Sequence, residues 1–218
     1  MAAPMILMLL CKHGKLYVEQ VMALRHLWCQ LGIHFLCAKQ DSEVPANLKN
    51  LIFSKFNCLR MQIMGNLLAP TKDAWKKCSG PWLYFLDVRG MTVHGSGVIN
   101  GQGRDWWGKA LLFQRCDGLQ ISGLTHINGP GSHIFVVHSQ DITISNIDIY
   151  SPLESHNTDG IDLTNSVRVN IRDSIIRTGD DCIAMKGGSK FININNVTCG
   201  PGHGIRYSSK CELYKYSQ

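Results

Sequence analysis

From Trp82 onward the chain is written in short runs of alternating apolar and polar residues. Each run closes at glycine, asparagine or aspartate. The clearest are MTVHG from Met91, LQISG from Leu119, ITISN from Ile142, VNIRD from Val169 and a run beginning at Ile192. Alternation with a period of two buries one face of a strand and leaves the other exposed. The closing residues tolerate the left-handed backbone that turns a corner. The starts fall roughly 23 to 28 residues apart, a spacing that marks a solenoid. Such a period leaves no room for a crossover helix and fits two or three short parallel strands per winding. The L-x-x-L-x-L ladder of leucine-rich repeats is not kept, and an antiparallel sandwich would not impose a regular period. The expected fold is therefore all-β, a right-handed parallel β-helix.

The pattern divides the chain. Residues 1–47 form an atypical amino-terminal segment with an amphipathic helix expected over roughly 16–37. Residues 48–205 are expected to form the β-helix, and 206–218 lose its rhythm. The first residues, MAAPMILMLLC, carry an apolar run without a basic leader or a clear cleavage site, so they read as a weak, atypical signal peptide at best. The apolar stretch 21–37 is broken by Arg25, His26, Gln30 and His34, which argues against a membrane span.

Nine to fifteen residues past the starts of the runs lie equivalent corners. They read Asn100-Gly-Gln-Gly, Asn128-Gly-Pro-Gly, Asn157-Thr-Asp-Gly, Gly179-Asp-Asp-Cys and Gly202-His-Gly. The first two carry no acid. The next three carry Asp159, then Asp180 and Asp181, then His203. Adjacent rungs are about 4.8 Å apart, so three successive corners would gather these groups in a patch about 10 Å tall. Like-charged carboxylates at that spacing repel, and one is expected to keep its proton to higher pH. A protonated acid beside an ionised one is what glycoside hydrolysis requires: one group protonates the leaving oxygen while another activates water or attacks the sugar. Taken singly, each motif reads as a turn, a calcium site or a packing residue. Adjacent strand residues also point to opposite faces, so Asp180 and Asp181 share a cleft only if the backbone bends at Gly179. The joint occurrence on three corners favours chemistry.

Composition narrows this little further. Apolar residues make up 44% and charged ones 17%, which fits one globular domain with a substantial core. A net charge of +6 suits a polyanionic partner without choosing between nucleic acid and an acidic polysaccharide. None of the nine cysteines forms a C-x-x-C pair, which disfavours zinc ribbons and thioredoxin-like sites and favours disulfides in an oxidising compartment. Asn196-Val197-Thr198 is a glycosylation sequon. A nucleotide-binding reading fails, because GSGVING lacks the third glycine and follows no βα unit.

NTDG, TGDDC and CGPGHG, in that order and spacing, resemble the polygalacturonases of glycoside hydrolase family 28, as do the flanks GSGVINGQGRDWW and MGNLLAPTKDAWKKCSGPWLYF. The resemblance covers roughly residues 50–205. It implies a β-helix that hydrolyses α-1,4-linked galacturonic acid in pectin with inversion, with Asp180 as general acid and Asp159 and Asp181 holding and activating water. His203 would support the acid or bind sugar, and Asn157 and Lys186 would contact substrate. It implies no cofactor and no metal, pectin as partner rather than nucleic acid or membrane, a secreted monomer, a Cys182–Cys199 disulfide and a second pair, Cys58 with Cys78. Family members continue past Gly-His-Gly to an Arg-Ile-Lys motif that grips the galacturonate carboxylate. The chain is thus expected to be truncated at both ends and weakly active or inactive. A calcium-dependent pectate lyase, a non-catalytic pectin-binding β-helix and a rhamnogalacturonan or xylogalacturonan hydrolase stand as alternatives.

Overall fold

A computed structural model describes residues 6–8, 33–37, 51–54, 59–69, 81–103 and 110–208. Its strands wind into a parallel β-solenoid with three walls. The first wall stacks Ile33–Cys37, Leu59–Ile63, Thr92–Gly95, Gln120–Ser122, Gln140–Ser145 and the leading parts of Val167–Arg177 and Lys190–Cys199. The second stacks Asn66–Leu68, Val98–Asn100, Thr125–Ile127, Asp148–Tyr150 and the trailing parts of those two long strands. The third runs through Leu51–Ser54, Leu83–Leu86, Leu111–Gln114, Ile134–Val137, Ile161–Thr164, Asp181–Met185 and Gly204–Tyr207. Every one of these pairings is parallel, as a chain that always returns in the same direction requires.

The alternating runs explain the core. Val93, Ile121, Ile144 and Ile171 occupy one register of the first wall and are buried. Phe85, Phe113, Val136 and Leu163 do the same on the third wall, and the Phe85 and Phe113 rings stack with centroids 4.9 Å apart. Asymmetry appears on the second wall, where Leu67, Ile99, Ile149 and Ile176 are interrupted by His126. That imidazole is fully buried with neither ring nitrogen hydrogen-bonded. Burial pushes it down to about 3, so it is neutral.

The corner between the first and second walls is fixed by backbone conformation. Gly95, Gly123, Asn146, Asp173 and Asn196 sit at matching positions, all with positive φ. These are residues for which the left-handed region costs least.

The helix expected over 16–37 lies outside the described residues except at its end. There Ile33–Cys37 is a strand paired with Leu59–Ile63. Its run of Ile, His, Phe, Leu and Cys is β-branched or aromatic at its leading positions, which suits a strand. At the other end, Gly204–Tyr207 carries the third wall through Arg206 and Tyr207. Among the described residues no helix is long and apolar enough to cross a membrane.

Candidate active site

The corner leading into the third wall is where the acids gather. Backbone bonds between windings set their heights: His133 N–H donates to Asp159 O, Gly160 N–H to Asp181 O, and His203 N–H to Asp180 O, each at 2.9 Å. The loop before Asp159 is fastened from within. Thr158 Oγ1 donates to Ser155 O at 2.8 Å and accepts from the Gly179 N–H at 3.0 Å. Gly179 is required there, since a Cβ would stand 2.1 Å from Ser155 O.

Asp180 is held from three sides. The backbone N–H of Asn157 donates to its Oδ2 at 3.2 Å and that of Asp181 to its Oδ1 at 2.9 Å; Oδ1 also lies 3.0 Å from His203 Nδ1. Asn157 can reach it because it takes φ 57°, a conformation asparagine tolerates. Strand alternation does not separate Asp180 from Asp181, because the strand Asp181–Met185 begins only at the second of them. One donor atom from each of Asp180, Asp181 and His203 lies within 4.8 Å of the others. Among the described residues these three come nearest to a cation-binding set, and no feature besides their mutual packing marks a metal site there.

Asp181 is nearly buried, and Arg206 Nε stands 2.6 Å from its Oδ2 with its N–H off the hydrogen-bonding direction. Burial raises the Asp181 carboxyl above the usual carboxylate range, Arg206 opposing and Asp180 adding to the shift. Arg206 stands on the neighbouring rung, in register with Ala184, and Gly204 two residues before it pairs with Asp181.

Asp159 is buried on the same corner. Burial, the neighbouring Asp162 carboxyl and the charge of Asp180 push it up to about 7, with Lys186 pulling the other way. Lys186 places its ammonium 2.8 Å from Asp162 Oδ2 and 3.8 Å from Asp159 Oδ2, over the Phe135 ring. Asp162 also accepts from Ser132 Oγ at 2.6 Å.

All six residues expected at the site, Asn157, Asp159, Asp180, Asp181, Lys186 and His203, therefore lie on one corner and its edge. Cys182 and Cys199 form a disulfide beside it. Cys58 and Cys78 lie outside the described residues. Sequence reasoning missed Asp162 and Ser132 and gave Arg206 no role. The available signal for Asp162 was an acid inside the strand-like run Ile161-Asp162-Leu163, which alternation alone would assign to the solvent face.

Comparisons with known proteins bear on the family and the fold. The model of glycosyl hydrolases family 28 matches residues 37–213. A probable polygalacturonase of Arabidopsis thaliana is 45% identical over 155 residues, covering 68% of this chain and 34% of that protein. Polygalacturonase-2 of Solanum lycopersicum is 35% identical over 187 residues, covering 76% and 41%. The chain thus spans 34–41% of the length of these two curated relatives. A solved polygalacturonase from Erwinia carotovora shares the fold at a TM-score of 0.68 and 19% identity, covering 83% of this chain and 59% of that one.

Proposed function

Because this chain belongs to glycosyl hydrolases family 28, we propose that its acidic corner hydrolyses the α-1,4 linkages between galacturonic acid units of pectin, with inversion at the anomeric carbon, in a secreted protein. The observation that carries the reading is the arrangement of Asp180. It is fixed by the Asn157 and Asp181 backbone N–H groups and His203, one residue from Asp181 and one rung from Asp159.

In this mechanism Asp180 gives its proton to the glycosidic oxygen as the bond from that oxygen to the anomeric carbon breaks. A water attacks that carbon from the opposite face and loses its proton to a carboxylate. Asp181 is the residue for that step: burial raises its carboxyl, but the adjacent Arg206 offsets part of that rise and steadies the ionised form. Asp159, pushed up to about 7, holds a proton at mildly acidic pH and serves to orient the water by hydrogen bonding. After product leaves, Asp180 regains a proton and Asp181 releases one to solvent. Asn157 and Lys186 line the approach and contact the sugar.

The test is release of reducing ends from polygalacturonate by the 218-residue chain, with the product anomer read by proton NMR. Turnover that forms the inverted anomer and falls about 10²–10⁴-fold in Asp180→Asn is expected for a general acid. A 4,5-unsaturated product would instead mean elimination. Oligogalacturonate binding that survives in an Asp159→Asn/Asp180→Asn double variant, with no cleavage by the parent, would mean a binding module.

A further inference from the structure

One carboxylate in this corner has no part in the scheme above and is the most deeply buried of the group. Asp162 is 1% exposed, and its two oxygens are treated very differently. Oδ2 accepts from the Ser132 hydroxyl at 2.6 Å and from the Lys186 ammonium at 2.8 Å. Oδ1 is equally buried, with no hydrogen-bond partner apart from whatever proton a neighbouring acid can give. Such an oxygen is costly to leave bare. Asp159 is tied to it through a common cation: Lys186 Nζ stands 2.8 Å from Asp162 Oδ2 and 3.8 Å from Asp159 Oδ2, so one ammonium brackets both carboxyls.

We propose that Asp162 is a positioning residue that holds Asp159 by sharing one proton with it, so that the two carboxyls and Lys186 work as a single unit. The proposal rests on the hydrolase reading only for its catalytic meaning; the proton sharing rests on the orphaned Oδ1, the ammonium common to both carboxyls and the burial of both. With both carboxyls ionised, a single ammonium would face two buried negative charges, with Asp180 one rung away. One proton between the acids leaves a single negative charge opposite Lys186 and supplies the donor that Oδ1 lacks. It also fixes which way the Asp159 carboxyl turns, since one of its oxygens is committed to Asp162.

The surrounding groups are consistent with this. On the preceding winding, His133 presents only its backbone N–H to Asp159 O. Its neutral ring is turned to Ser151 Oγ at 2.7 Å. On the following winding stand Asp180, Asp181 and Lys186. Beyond them, His203 is engaged with Asp180 and Arg206 with Asp181. Among these groups Lys186 is the cation that reaches Asp159, at 3.8 Å.

The test is a carboxyl-carbon NMR titration of the protein labelled at aspartate, with Asp159 assigned from Asp159→Asn. In the parent, Asp159 is expected to titrate near 7. In Asp162→Asn, which preserves size and can still donate to Asp159, the midpoint is expected to fall by more than about one pH unit, because the charge repulsion is gone. In Lys186→Gln it is expected to move the opposite way. Opposite signs separate proton sharing from general disruption, and circular dichroism confirms that each variant is folded. An Asp159 midpoint in the ordinary carboxylate range in the parent, or one unmoved by Asp162→Asn, overturns the proposal. Should Asp162→Asn not fold, Lys186→Gln decides alone: an unchanged or lowered midpoint overturns the proposal. The titration needs no substrate, so absent hydrolysis with the expected shifts would remove the hydrolase reading and leave the shared proton in place. If the chain is active, the limb of its pH profile near 7 should move with the same signs.

Discussion

Opening the Cys182–Cys199 bridge should weaken the fold by an amount that can be worked out beforehand. The two cysteines are 17 residues apart. Closing a loop of that length removes conformational freedom from the unfolded chain equivalent to about 3 kcal/mol at 25 °C. Domains of this kind have total stabilities of roughly 5–15 kcal/mol, so the bridge accounts for a substantial fraction. Cys199→Ala is the cleaner of the two possible variants. Its side chain only borders the core, whereas Cys182 is part of it and would leave a cavity. Urea denaturation followed by circular dichroism should place Cys199→Ala about 3 kcal/mol below the parent. Reductant should bring the parent down to the same level, and any further effect of reductant on Cys199→Ala would report the other cysteines. A difference below about 1 kcal/mol, with the bridge verified by mass spectrometry, would refute the argument. So would a reduced parent that stays well above Cys199→Ala, because then the loss comes from the side chain and not from the cross-link.

Three further outcomes are expected. Phe113→Ala should cost about 3–5 kcal/mol in the same denaturation assay, since it deletes a buried ring stacked on Phe85, whereas Leu112→Ala, its partly exposed neighbour, should cost far less. His126→Leu should hold or raise stability, because it removes two ring nitrogens buried without partners, and should soften the stability lost as pH falls below the unfolded histidine range. Asp159 acts with the opposite sign: its raised value means stability that is full below about pH 4 and is lost as pH rises through about 7. Asp159→Asn should therefore flatten thermal stability measured across that window.

The windings were legible because their signals are local. Period-two alternation placed Val93, Ile121, Ile144 and Ile171 on the inner face, and the left-handed residues marked the corner after them. Aligning the repeat was enough to gather Asp159, Asp180, Asp181 and His203. What escaped depended on lateral register. Asp162 sits at an outward strand position, yet Ser132 and Lys186 from the windings on either side close over it. Arg206 carries no local signal three residues after His203, yet on the neighbouring rung its guanidinium lies against Asp181. His126 occupies an inward position where alternation predicts an aliphatic residue, and no local rule announces an imidazole left without partners.

The three corners of the solenoid differ in how freely they vary in length. Between the first and second walls the chain passes in the same few residues every time, through Gly95, Gly123 and Asn146 and, in the two long strands, through Asp173 and Asn196. Between the second and third walls it takes 101–110, then 128–133, 151–160, 178–180 and 200–203. Differences in winding length are therefore absorbed largely at the edge that bears the acids, while the inner ladders stay in step. Insertions and deletions can reshape the ground around the reactive groups without disturbing the frame beneath.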